Sequence, residues 1–119
     1  MGLDMYLGMR KDTRFIEMGY WRKSNAIHNW FVNTLANGVD ECQEIPVTVD
    51  DLKELRDLCN KIKDNHELAL DLLPTTTGFF FGNTSYDEGY FNDINYTLDI
   101  LEPLIENHAD KEFVYQASW

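Results

Sequence analysis

Cysteine and proline are scarce in this chain, with two and three residues among 119. Two thiols cannot build a disulfide scaffold. The spacing of Cys42 and Cys59 fits no zinc or redox motif, so they read as reduced, mostly buried thiols of a cytoplasmic protein. Long apolar runs are missing too. None approaches the roughly 20 residues that a membrane-spanning helix needs. The opening MGLDMYLGMRK has neither the basic start nor the apolar stretch of a secretory signal. Tyr6 stands where N-myristoylation requires Ser or Thr. Without a secretory route, the glycosylation-type triplets at Asn83 and Asn95 carry no meaning.

Positive charge is also in short supply. Ten basic residues face 21 acidic ones, for a net charge of −11. Such a field repels phosphate backbones and disfavours general nucleic-acid binding. The imbalance is uneven: residues 1–36 carry a net +2 and residues 37–119 a net −13. Enzyme signatures are likewise absent. There is no G-x-S-x-G elbow, phosphate-binding P-loop, H-E-x-x-H pair or dinucleotide fingerprint. His28, His66 and His108 are too dispersed to suggest a metal set. The sequence thus gives no catalytic residue, no metal site and no cofactor.

What remains is a chain of one domain's length, 1–119, whose 44% apolar content suits a globular fold. Leu3, Met5, Leu7 and Met9 alternate with other residues, as in a half-buried strand. Arg10 to Arg14 reads as a polar turn, and Phe15 to Tyr20 as a short extended piece interrupted by Gly19. The 3.6-residue period of Ile27, Trp30, Phe31 and Leu35 predicts a helix over 22–36, stopped by Asn37-Gly38. Residues 43–47 read as extended. Thr48 and Asp51 form a capping-box pattern ahead of a helix carrying Leu52, Leu55, Cys59 and Ile62 on one face. Helix continues over 66–73 until Pro74.

Phe79-Phe80-Phe81 between two glycines reads as a strand. Ser85 and Glu88 suggest a second capping box, opening a helix that Pro103 kinks or restarts. The alternation of Phe113, Tyr115 and Ala117 predicts a closing strand beside the first. The expected fold is α+β: a small, mostly antiparallel sheet with three or more helices packed on one face.

Two clusters combine aromatic and polar side chains. The first runs through Tyr20, Trp21, Arg22, Lys23, Asn25 and His28. At about 100° per residue, Trp21, Asn25 and His28 share an arc at the core boundary. There a ring can stack on a planar ligand, an amide can read its donors and acceptors, and Arg22 and Lys23 can hold phosphate. The second contains Phe80, Tyr86, Asp87 and Tyr90. Alternation sends Phe80 away from its two neighbours, so that a helix, a partner subunit or a ligand must cover it. Each cluster also admits a plain structural reading, with Trp21 and the phenylalanines as core and His28 as a satisfied boundary histidine.

The blocks MGLDMYL, YWRKSNAIHNWF and LLPTTTGFFFGNTSYDEGY resemble a family of small proteins encoded by bacteriophages and prophages. The resemblance implies an accessory, counter-defence protein made in the bacterial cytoplasm. Three roles follow as expectations. The first is sequestration of a nucleotide-derived signal by a homo-oligomer whose site lies at a subunit interface. The second is an acidic, anti-CRISPR-like inhibitor that binds a host nuclease or CRISPR complex. The third is a small enzyme of unknown reaction.

Overall fold

A computed structural model describes residues 2–77 and 83–119. The Phe79–Phe81 strand and Phe80 therefore lie outside the described residues. Four strands form one antiparallel sheet: β1 (Asp4–Lys11), β2 (Arg14–Arg22), β3 (Ile45–Val47) and β4 (Phe113–Ser118), in the order β2-β1-β4-β3. Helices α1 (Asn25–Leu35), α2 (Val49–Asp64), α3 (Ala69–Leu72) and α4 (Glu88–Asn107) complete the fold, with a short 3-10 turn at His66–Leu68 before α3. This is the α+β architecture expected from the sequence. Among the described residues, no helix is long and apolar enough to cross a membrane.

Alternation decides which side of the sheet receives the helices. Met5, Leu7, Trp21, Phe113, Tyr115 and Ala117 all point into the core, joined there by Ile27 and Phe31 of α1, Leu52 and Leu55 of α2 and Leu101 of α4. Tyr6 and Tyr20 lie on the other face, their rings 5.3 Å apart, and the Tyr20 hydroxyl donates to Asp4. First and last strands pair directly, Met5 opposite Ala117 and Leu7 opposite Tyr115.

Three boundaries differ from the sequence reading. Residues 22–24 do not belong to α1. The β1–β2 ladder runs on through Met5–Trp21 and Asp4–Arg22, and Lys23 then takes φ +55°, a left-handed conformation that ends the strand without continuing into a helix. Backbone pairing with a neighbouring strand outweighs the apolar period. The capping box at Thr48 and Asp51 forms as the sequence suggests, but the one at Ser85 does not. Asp87 is the N-cap of α4, accepting from the Tyr90 N–H, and the helix begins at Glu88. Pro103 sits inside one continuous α4 rather than restarting it. The carbonyl four residues earlier belongs to Asp99, an exposed residue, so the lost helix bond falls on the solvent side of α4.

Gly19 marks an irregularity in the ladder, where the register shifts and Met18 is left without a partner, and it is also a seat for α4. It pairs with Leu7 on the helix-facing side, and a Cβ there would stand 2.6 Å from Ile100 Cγ2. That methyl group is attached to a branched Cβ and has little room to retreat. Gly19→Ala is expected to cost about 1–3 kcal/mol by overpacking. Combining it with Ile100→Ala should recover part of that loss. Denaturant midpoints across the double-mutant cycle measure the coupling.

Candidate functional site

A cavity of about 310 Å³ opens where the end of β2, the start of α1, the loop before α4 and the first turns of α4 converge. Its lining joins Arg22, Lys23, Ser24 and Asn25 from the first side to Thr75, Asn83, Ser85, Asp87, Tyr90 and Asp93 from the second. Five of the ten candidate residues meet here: Arg22, Lys23, Asn25, Asp87 and Tyr90. The volume is that of a small-molecule site.

The strand-to-helix turn places the cations. Lys23 is held by its own N–H donating to the Leu3 carbonyl at 2.7 Å, and its left-handed backbone turns the chain into α1. Both Arg22 and Lys23 are exposed. Ser24 occupies the N-cap position of α1 without capping it through its side chain, and no acid stands in the first turn. The positive end of the helix, including the backbone of Ala26 and Ile27, therefore borders the cavity beside two cations.

The opposite wall is acidic. One Asp87 oxygen accepts from the Tyr90 N–H and the other from the Asn83 side-chain amide. Asp93 is half-buried. Burial holds its carboxyl above the usual carboxylate range, the Ser24 hydroxyl that donates to it works the other way, and the Asp87 charge adds to the rise. Among the described residues, no ion pair joins Arg22 or Lys23 to either acid.

Asn25 works on the protein itself. Its side-chain N–H donates to the Asn83 carbonyl at 2.9 Å, and its oxygen accepts from the Thr76 N–H at 3.1 Å. One amide thus ties both stems of the connection that leads to α4. Tyr86 reinforces the tie. It does not line the cavity; its hydroxyl accepts from the Thr75 N–H, and its ring lies 5.1 Å from that of Tyr90.

The remaining candidates lie elsewhere. Tyr20 is on the far face of the sheet. Trp21 is buried in the core, its indole N–H donating to Thr97 Oγ1 at 2.8 Å. The helical arc expected to join it to Asn25 and His28 does not form, because Trp21 belongs to β2. His28 is buried beneath a second cavity of about 200 Å³ that Asp40, Thr76 and Thr77 also line. Its Nε2 lies 2.9 Å from Asp40 and its Nδ1 2.6 Å from the Tyr115 hydroxyl. A carboxylate only accepts, so Nε2 donates to Asp40. Burial and the Asp40 charge raise the Tyr115 phenol well above its ordinary range, so it keeps its proton, which it donates to Nδ1 when the imidazole is neutral.

Sequence reasoning missed Asp93, Ser24, Asn83 and the His28 partners Asp40 and Tyr115. Asp93 was within reach, since it follows Tyr90 by three positions and shares its helix face. Ser24 and Asn83 fall inside the two clusters but were given no role, whereas Asp40 and Tyr115 come from distant segments and have no spacing signal. Among the described residues, no group of three or more His, Cys, Asp or Glu side chains could hold a metal ion.

No protein-family model, curated protein or solved structure matches this chain.

The geometry of the cavity has a cost in the free protein. With its folded pKa above the unfolded value, Asp93 favours folding only below the ordinary carboxylate range, and opposes it as pH rises through the folded value. Asp93→Asn is expected to raise the melting temperature at pH 7, with the gain shrinking towards pH 4. Thermal melts of both proteins across that range check the sign.

Proposed function

We propose that this protein is a phage-encoded counter-defence binding protein that sequesters a nucleotide-derived small molecule in the cavity between β2, α1 and α4. The observation that carries the reading is the convergence of Arg22, Lys23 and the uncapped start of α1 on one cavity wall. Cations beside the positive end of a helix favour a phosphate. Tyr90 lines the same space. The phage origin and the counter-defence role follow from the resemblance of the sequence blocks. A cytoplasmic setting and a homo-oligomeric assembly belong to the same proposal.

A second reading, inhibition of a host nuclease or CRISPR complex through an acidic surface, draws on α4. That helix carries five acids and no Lys or Arg, and exposes Asp99, Glu102 and Glu106 beside Tyr96. By contrast, α2 sets four basic residues against five acidic ones, which makes it a poor mimic of a phosphate backbone.

Native mass spectrometry of the protein from infected bacteria, followed by heat release, separates the two. Sequestration predicts an intact nucleotide-type ligand. Its retention should fall about 10-fold or more in Arg22→Ala and in Lys23→Ala, which remove charge-assisted contacts from exposed positions without unfolding the chain. An apo mass with a co-purifying host protein, lost when Asp99, Glu102 and Glu106 become neutral, would favour the second reading instead.

A further inference from the structure

The cavity holds two charges of each sign, and among the described residues no ion pair joins them, which suits a ligand that is itself two-ended. Arg22 and Lys23 suit its phosphate. Asp87 is occupied at both oxygens by the cap of α4 and by Asn83. Asp93 is not: the one donor that reaches its carboxylate among the described residues is the hydroxyl of Ser24, a side chain 3% exposed. A carboxylate has about four acceptor sites and no donor, so Asp93 retains acceptor capacity towards the space it lines. Among the described residues, no cation forms an ion pair with it.

Resting on the reading of this cavity as a nucleotide site, we propose that Asp93 selects the base, accepting adjacent N–H groups of a guanine-type edge while Arg22 and Lys23 hold the phosphate. Guanine presents a ring N–H and an amino group side by side, which two carboxylate oxygens can accept together. Hypoxanthine offers only the ring N–H. Adenine presents a ring-nitrogen lone pair beside its amino group, and that lone pair faces a carboxylate unfavourably. Two donors from such a base also offset the burial that disfavours the charged carboxylate in the empty site.

Isothermal titration of the full chain with GMP, IMP and AMP, with inorganic pyrophosphate as a base-free control, tests the assignment. GMP is expected to bind about 10-fold or more tightly than IMP, the effect of one charge-assisted hydrogen bond, and AMP more weakly still. Asp93→Asn, whose fold is checked by its melting temperature, should remove the GMP preference. Arg22→Ala should weaken all three nucleotides by a similar factor and leave their order intact. Equal binding of the three nucleotides, unchanged in Asp93→Asn, would overturn the base-selecting role while leaving the cavity as a phosphate site. Failure of every nucleotide and of pyrophosphate to bind would overturn both this assignment and the reading on which it rests.

Discussion

The cavity depends on how α4 is held against the sheet, and the hold centres on Trp21. Its indole is buried at the end of β2 and donates to the hydroxyl of Thr97, which in turn donates to the Asp93 carbonyl one turn earlier on α4. Thr97 is completely buried, so each bond is made away from water. Removing the Thr97 hydroxyl would leave the buried indole N–H unsatisfied, typically at a cost of about 1–3 kcal/mol. Gly19, two residues before Trp21, admits Ile100 of the same helix. Together these contacts fix the first half of α4 beside the β2–α1 turn and set Asp93 across from Arg22 and Lys23. Trp21 thus shapes the cavity without lining it.

A second polar chain closes the other side of the sheet's core. Tyr115 of β4 donates to His28 of α1, His28 bonds Asp40, and the other Asp40 oxygen accepts from the indole N–H of Trp119. The Tyr115 ring also stacks on Phe31 at 3.9 Å. The last strand is therefore bound to α1 by both packing and directed hydrogen bonds, and the segment after α1 is drawn onto it. The first cavity has a different character. Its cations are exposed, its acid is half-buried without a counter-charge, and its helix start is uncapped. Departures from local optimisation gather where a ligand would compensate them.

Much of the fold was legible because it depends on short-range periodicity. The α2 face of Leu52, Leu55, Cys59 and Ile62 is wholly buried, the Thr48 cap forms, and the pairing of β1 with β4 follows from two alternating termini. The errors came where a neighbour in space outbid the local pattern. Residues 22–24 fit a helical period, but β1 offered a ladder partner as far as Arg22. Ser85 had the composition of a cap, yet Asp87 stood closer to the apolar run and took the role.

The sequence by itself determined the apolar faces, the α+β class, the charge imbalance and the two polar-aromatic blocks, because each follows from residue type and spacing along the chain. Only the tertiary structure decided that these blocks share a cavity, that Asn25 serves the backbone of the connecting segment and that Trp21 serves the core. It also brought Asp93 and Ser24 into the site. Those outcomes depend on sheet register and on the close approach of α4 at Gly19, which join residues some 60 to 80 positions apart and leave no periodic trace in the chain.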